Sequence, residues 1–106
     1  MSEVQVVARY TIAIGQEDEV MSLVSQLADA TRAEPGCRSF EVYFEAGNPR
    51  HLALLERYRS REALDEHHAS PHYRQLALAG CAPRLDRRVV EAFDVPPEGA
   101  VVTDAS

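Results

Sequence analysis

The sequence contains no apolar run near the roughly 20 residues that are needed to cross a bilayer. Its first residues, Met1, Ser2 and Glu3, lack the basic start and apolar stretch of a secretory signal. We therefore expect no membrane partner and a cytoplasmic location. The only cysteines are Cys37 and Cys81, whose separation matches no metal motif, so we expect free thiols rather than a disulfide.

Basic residues are scarce relative to acidic ones. The chain has 11 Lys and Arg against 17 Asp and Glu, which gives a net charge of −6 at pH 7. Because an acidic protein repels phosphate backbones, we expect no nucleic-acid partner. With 106 residues, of which 45% are hydrophobic, the chain has the composition of one folded domain.

Hydrophobic periodicity is the main structural signal that the sequence does contain. Alternation over residues 4–14 predicts a first strand whose core face runs from Val4 to Ile14, and further strands are predicted at residues 38–45, 51–59 and 89–95. An apolar stripe predicts a helix from the acidic residues 17–19 to just before Pro35. Two shorter helices are predicted, one from the cap Ser60 to His67 and one from Ser70-Pro71 to about Ala79.

This order of elements predicts an α+β fold of the ferredoxin-like split βαβ type. Right-handed crossovers arrange the strands as a four-stranded antiparallel sheet with the helices on one side. The predicted domain spans residues 1–95, and residues 96–106 form a C-terminal tail that we expect to be mobile or to contact a partner.

The face of the sheet that the helices leave bare is half apolar. We expect it to carry Ala53 and Leu55, with Val7 and Ala13 across from them. A small domain gains stability by covering such a face, which predicts that two copies pair face to face as a homodimer.

Four segments resemble the antibiotic biosynthesis monooxygenase family: EPGC at 34–37, EVY at 41–43, LERY at 55–58 and, most specifically, EALDEHHASPHY at 62–73. The resemblance covers about residues 4–95. It implies a dimeric α+β barrel and cofactor-independent oxygenation of a quinol, anthrone or related phenol. Relatives with this fold also isomerise small metabolites or degrade haem, so the substrate stays open.

The chain departs from the family pattern at the end of the third strand. Tyr58 stands where a tryptophan is usual, and by alignment the pocket positions of the polyketide monooxygenases hold Leu54, Tyr58 and Leu64. The positions that the haem-degrading branch uses hold Ala8, His67 and Ala77, so we expect no haem. No G-x-G-x-x-G fingerprint for a nicotinamide or flavin is present, and we expect no cofactor.

His67 is the candidate catalytic residue, because it occupies the family's histidine position and imidazole titrates near pH 6.5. The alternative is a histidine that caps the end of its helix. Tyr58 and Glu56 share a strand face and, with Tyr10, are candidates for substrate binding in an apolar pocket. The alternative makes both tyrosines core residues and pairs Glu56 with an arginine.

No metal site is predicted. His68 and His72 are four residues apart, but Ser70-Pro71 interrupts the helix between them. The arginines, including those at 57, 59, 61, 84, 87 and 88, are expected to be solvated or paired with the excess acids.

The sequence thus favours a homodimeric, cofactor-independent monooxygenase acting on a small aromatic or quinone-like substrate. Two alternatives remain open. One is an isomerase of a small hydroxy-carbonyl metabolite that uses the same histidine as a proton shuttle. The other is a non-catalytic module that binds a small ligand, which the replacement of the usual tryptophan by Tyr58 motivates.

Overall fold

The computed structural model describes residues 2–96 as a sheet covered on one face by helices. In chain order the elements are β1 (Glu3–Ile12), α1 (Glu17–Arg32), β2 (Cys37–Glu45), β3 (Asn48–Tyr58), α2 (Arg61–Ala69), a π-helical segment (Tyr73–Cys81), a 3₁₀ turn (Ala82–Arg84) and β4 (Leu85–Val95). Residue 1 and residues 97–106 of the predicted tail lie outside the described residues. No helix among residues 2–96 is long and apolar enough to span a membrane.

The sheet confirms the predicted ferredoxin-like α+β fold. Its four strands follow the order β2-β3-β1-β4 and every neighbouring pair is antiparallel. The even-numbered residues of β1 are buried, because a strand that packs one face on helices alternates between core and solvent. Ala8 sits at the centre of this face, opposite Leu54 of β3 and Val90 of β4. The apolar stripe of α1 packs there as predicted, through Val20, Val24, Leu27 and Ala28.

Four predicted boundaries were wrong. β3 begins at Asn48 rather than at residue 51, so the hairpin turn before it is shorter than predicted. β1 ends at Ile12, and Ile14 is 82% exposed rather than in the core, because the chain reverses at Gly15 with a backbone φ of +87°. β4 begins at Leu85 rather than at residue 89, since a run of charged residues hides its alternation. The segment after Pro71 winds mainly as a π-helix and continues to Cys81.

The bare face of the sheet has the predicted half-apolar character, with one corrected register. Val7 pairs with Leu55 as expected, but the residue opposite Ala53 is Arg9. Ala13 lies beyond the end of β1, where its N–H bonds the carbonyl of Arg84. Arg9 is held along the face by Glu91 of β4, with 2.9 Å between Nη1 and Oε1.

A close backbone contact joins the turn after α1 to the start of α2. A Cβ atom added to Gly36 would lie 2.4 Å from the Cβ of Ala63, a separation that real carbon atoms do not reach. The carbonyl of Gly36 accepts a hydrogen bond from the N–H of Arg59 at 2.9 Å. At the same place Ser60 caps α2 as predicted, with its Oγ accepting from the N–H of Ala63. Glycine is therefore required at position 36 for α2 to approach.

Replacement of Gly36 by alanine should lower the free energy of unfolding by about 1–3 kcal/mol, because the new methyl group overlaps the side chain of Ala63. In the double variant Gly36→Ala/Ala63→Gly the overlap is removed, so the double variant should be more stable than the sum of the two single changes predicts. Urea denaturation of the four proteins measures this coupling. Strictly additive effects would contradict the close-contact explanation.

Candidate functional site

Four ionisable side chains from separate segments meet beneath one end of the sheet. Glu34 comes from the turn after α1, Glu56 from the end of β3, His67 from the last turn of α2 and His72 from the residue before the π-helical segment. The imidazole of His67, which is 2% exposed, lies between the two carboxylates. Glu56 and His67 are buried and Glu34 and His72 are half-buried, and such a cluster of ionisable groups at a core is typical of functional sites.

The two ring nitrogens of His67 have different partners. Nδ1 lies 2.7 Å from Oε2 of Glu34, and Nε2 lies 3.8 Å from Oε1 of Glu56. Because an ionised carboxylate can only accept, the neutral ring carries its proton on Nδ1 and leaves the lone pair of Nε2 free. The ring does not bond the carbonyl groups at the end of α2. Ser70 caps that end instead, by donating from Oγ to the carbonyl of His67 at 2.6 Å.

The same oxygen of Glu34 also contacts the second histidine. Nε2 of His72 lies 2.5 Å from Oε2 of Glu34, so one carboxylate oxygen accepts hydrogen bonds from two imidazoles. Three ligand atoms suited to a metal ion, from Glu34, His67 and His72, lie within 4.8 Å of one another. The pair considered from sequence was His68 and His72, but His68 packs on the ring of Tyr73 with 4.8 Å between centroids.

Glu56 and Tyr58 share a face of β3 and form a short hydrogen bond, in which the Tyr58 hydroxyl donates to Oε1 of Glu56 at 2.6 Å. Burial raises the pKa of Glu56 to about 7, although the bond from Tyr58 and the charge of Arg88 oppose this shift. Burial, with the charge of Glu56, holds the pKa of Tyr58 far above its usual value, so Tyr58 stays a donor. The close partner of Glu56 is therefore the hydroxyl of Tyr58, whereas the alternative prediction from the sequence paired Glu56 with an arginine.

His67 can accept a proton at neutral pH. Burial lowers its pKa below the usual value, while the hydrogen bond and charge of Glu34 act in the opposite direction. The ring is therefore neutral in neutral solution, and it has a carboxylate in place to stabilise the imidazolium that forms when it takes up a proton.

Tyr10 and Arg88 form the opposite side of the site. They are paired across β1 and β4, and the guanidinium carbon of Arg88 lies 5.9 Å from the centre of the Tyr10 ring. Burial raises the pKa of Tyr10 to about 12. Arg88 donates to the hydroxyl of Tyr73 at 3.0 Å, whereas its buried Nε has no hydrogen-bond partner within residues 2–96. The expectation that Arg88 is solvated or paired with an acid was wrong.

A small cavity lies between these groups. Its volume is about 10 Å³, which suffices for no more than a single water molecule. Its walls include Tyr10, Glu56, His67, Tyr73, Arg88 and Val90. Tyr58 is not part of the wall and reaches the cavity only through Glu56. Val90 of β4 both lines the cavity and is 41% exposed, so on this side a single side chain lies between the cavity and solvent.

A larger cleft of about 590 Å³ lies over the bare face of the sheet. It is lined by residues of all four strands, including Arg9, Tyr43, His51 and Glu91, and contains neither His67 nor Glu56. The predicted candidates Tyr10, Glu56 and His67 thus meet at the small cavity, on the helix-covered face.

Residues 4–77 match the family described as antibiotic biosynthesis monooxygenase. The chain belongs to this family. It is 46% identical over 72 residues to the curated protein "Putative monooxygenase Rv0793" of Mycobacterium tuberculosis, an alignment that covers 68% of this chain and 70% of Rv0793.

Solved structures agree along almost the whole chain. The structure of Rv0793 superposes with a TM-score of 0.81 at 38% identity and covers 99% of this chain and 100% of its own. A crystal structure named antibiotic biosynthesis monooxygenase has a TM-score of 0.81 at 27% identity and covers 89% and 99% of the two chains. A conserved protein from Methanosarcina mazei has a TM-score of 0.77 at 30% identity, with 88% and 92% covered.

The raised pKa of Glu56 predicts a specific dependence of stability on pH. Because folding favours the neutral acid, the contribution of Glu56 is greatest below pH 4.5 and is lost as the pH rises through about 7. Relative to Glu56→Gln, which stays neutral and still accepts from Tyr58, the native protein should lose about 3 kcal/mol across this range. Denaturant titrations of both proteins at several pH values measure the difference. Parallel profiles would show that Glu56 is ionised in the fold with an ordinary pKa.

Proposed function

We propose that this protein is a cofactor-independent monooxygenase that oxidises a quinol, anthrone or similar phenol, with His67 as the catalytic base. The observation that carries the proposal is the orientation of His67. Its Nδ1 is held by Glu34, its Nε2 lies 3.8 Å from Oε1 of Glu56, and the ring lines a small cavity whose wall also includes the cationic side chain of Arg88. Membership of the antibiotic biosynthesis monooxygenase family supports the same chemistry.

The first step is removal of a proton from a substrate hydroxyl. Nε2 of His67 accepts the proton, and Glu34 stabilises the imidazolium through the hydrogen bond to Nδ1. The substrate oxygen becomes negative, and the unpartnered Nε of Arg88 is the donor available to stabilise it. Tyr10 supplies an aromatic wall for the substrate ring.

The second step needs no external reductant. The phenolate passes one electron to O₂, and the resulting superoxide and substrate radical combine at a ring carbon. The O–O bond then breaks, so one oxygen atom stays on the ring and the other leaves as water with two hydrogens from the substrate. For a quinol the sum is quinol plus O₂ to hydroxyquinone plus water, in which the substrate supplies all four electrons. A cavity that excludes water protects the intermediates.

Substrate entry requires the cavity to widen, since about 10 Å³ does not accommodate an aromatic ring. The β4 side is the thinnest wall, because Val90 both lines the cavity and reaches solvent. β4 pairs with β1 along one edge only, so an outward shift of this strand disturbs no other strand. We infer that the substrate enters past Val90.

The functional unit that we propose is a homodimer paired through the bare face of the sheet. The apolar part of this face is formed by Val7, Ala53 and Leu55, with the half-exposed Phe93 at its edge. Covering such a patch on both copies removes apolar surface from water at about 25 cal/mol per Å². The helix-covered face stays free, so each protomer keeps its own cavity.

His67→Ala should lower the turnover number for quinol-dependent oxygen uptake by roughly 100-fold or more, because a positioned general base typically contributes 10²–10⁴. Oxygen consumption with a panel of hydroquinones and anthrones measures the rate, and the melting temperature is taken on the same preparation. His68→Ala is the matched comparison: His68 lines the same cavity, so the variant alters the wall but leaves both carboxylate contacts of His67 intact and should lower turnover far less than His67→Ala.

Glu34→Gln should also slow turnover, because the neutral amide no longer stabilises an imidazolium at His67.

If His67→Ala lowers the melting temperature but leaves the rate unchanged, the histidine has a structural role and the proposal of a catalytic base is wrong. If no member of the panel is consumed and a ligand is recovered unchanged, the protein is a binding module.

An isomerase of a small hydroxy-carbonyl compound is the second candidate. The observation that favours it is that His67 and Glu56 line one cavity. Because burial raises the pKa of Glu56 to about 7, Glu56 can both give and accept a proton at neutral pH. Such a pair can move a proton between neighbouring carbons. Turnover under anaerobic conditions, with no oxygen consumed, would identify the isomerase.

If two copies pair through the bare face, the dimer should be sensitive to a charge at Leu55. Glutamate at this position places a charge in the centre of the bare face, opposite Val7, and should dissociate the dimer to the 11.8 kDa monomer or unfold it. Ile14→Glu is the matched control, because Ile14 is exposed in the turn after β1 and lies off this face. Sedimentation equilibrium at micromolar concentration measures the mass. A native protein that is monomeric under these conditions would contradict the dimer.

A further inference from the structure

We infer that Glu34, His67 and His72 form a binding site for a transition-metal ion of the Zn²⁺ type. Oε2 of Glu34, Nδ1 of His67 and Nε2 of His72 lie within 4.8 Å of one another and come from three separate segments of the chain. The carboxylate oxygen is 2.7 Å from one nitrogen and 2.5 Å from the other, so both rings already point their coordinating atoms at one place.

The backbone holds Glu34 in position. Its N–H donates to the carbonyl of Thr31 at 3.0 Å, and its carbonyl accepts from the N–H of Cys37 at 3.1 Å. The close contact of Gly36 with Ala63 then fixes the distance between this turn and α2, the helix that carries His67. A metal ligand on such a turn is placed before any ion arrives, which lowers the entropic cost of binding.

The break between the helices is what brings the two histidines together. Oγ of Ser70 donates to the carbonyl of His67 at 2.6 Å and accepts from the N–H of Tyr73 at 3.2 Å. Ser70 thereby ends α2 and begins the next helical segment, so the chain turns between His67 and His72 and both rings reach Glu34. A continuous helix would have favoured the pair at i and i+4, His68 and His72.

The spacing of the three ligand atoms requires only a small adjustment for a metal ion. Zn²⁺ binds imidazole nitrogen and carboxylate oxygen at about 2.0–2.2 Å in a tetrahedron, which separates neighbouring ligand atoms by about 3.3–3.5 Å. The two N···O distances must therefore lengthen by less than about 1 Å from 2.5 and 2.7 Å. His72 is 24% exposed, which gives its side chain room to move and leaves a path for the ion and for a fourth ligand from water.

A second carboxylate supports the metal-bound form of His67. When Nδ1 binds a metal the ring carries its proton on Nε2, and metal-bound histidines commonly donate that proton to a carboxylate. Oε1 of Glu56 is already 3.8 Å from Nε2, and the hydroxyl of Tyr58 anchors this carboxylate at 2.6 Å. Two imidazoles and one carboxylate favour Zn²⁺ and similar ions over Mg²⁺ and Ca²⁺, which prefer oxygen ligands.

Metal binding would regulate the reaction proposed above. An ion on Nδ1 forces the proton onto Nε2, the atom that accepts the substrate proton in the metal-free protein, so His67 can no longer act as the base. This regulatory consequence rests on the proposed function, whereas the metal site itself does not. We therefore expect Zn²⁺ to act as an inhibitor and chelation to restore turnover.

The test is titration of chelator-treated full-length protein with Zn²⁺ against a chromophoric competitor, with Mg²⁺ in parallel. We expect one Zn²⁺ per chain with a dissociation constant of about 1 μM or below and no Mg²⁺ binding at 1 mM. His72→Ala should weaken Zn²⁺ binding at least 100-fold, and His68→Ala, the matched neighbour, should change it less than threefold. Because His72 is partly exposed, its variant should fold, and circular dichroism verifies this.

Three outcomes would overturn the metal site: no Zn²⁺ binding at 100 μM, equal binding by the native protein and His72→Ala, or equal losses in His68→Ala and His72→Ala. If His72→Ala does not fold, Glu34→Gln replaces it in the same comparison. Oxygen uptake decides the regulatory part separately. If Zn²⁺ binds without slowing native turnover, the proposed inhibition is wrong. If the metal-free protein does not turn over quinols, the proposed function is wrong, and the binding titration still tests the metal site by itself.

Discussion

One oxygen atom of Glu34 holds three segments of the chain together through its contacts with two histidines. Both His67 and His72 direct a ring nitrogen at it, and these two contacts link the turn after α1, the end of α2 and the start of the π-helical segment. Removing a carboxylate from water is costly unless it gains hydrogen bonds, and the two imidazoles supply them to Oε2 of the half-buried Glu34. The orientation of His67 follows from the same contacts, since a ring held at Nδ1 can present only Nε2 to the cavity.

Packing around this carboxylate explains why a glycine occurs in the EPGC segment (34–37) and a serine in the EALDEHHASPHY segment (62–73). Gly36 allows the turn that carries Glu34 to lie against Ala63, and Ser70 directs the chain so that His72 returns toward Glu34. These residues make no contact with the cavity, yet the separation of three ionisable groups depends on them. The sequence motifs thus include the residues that pack the turn against α2 as well as Glu34, His67 and His72, the side chains for which a function is proposed.

Alternation and helical periodicity sufficed to predict the order of elements and the inner face of the sheet, because burial of one face imposes a period of two on each strand. The site was only partly predictable. Glu56 and Tyr58 could be paired because they share a strand, whereas the contact of Glu34 with His67 spans 33 residues and leaves no periodic signal. Arg88 was missed because the charged start of β4 concealed its register.

Tyr58 gives the departure from the family pattern a physical meaning. A tryptophan at this position has one N–H donor and no hydroxyl, whereas the hydroxyl of Tyr58 donates a 2.6 Å hydrogen bond to Glu56 and opposes part of the rise in its pKa that burial causes. Tyr58 itself does not line the cavity, so its effect reaches the site through the proton affinity of Glu56. A carboxyl group with a pKa of about 7 beside His67 is a second proton carrier at neutral pH. The replacement therefore changes the proton affinity of Glu56 and leaves His67, the proposed base, in place, so the loss of tryptophan is compatible with the proposed activity.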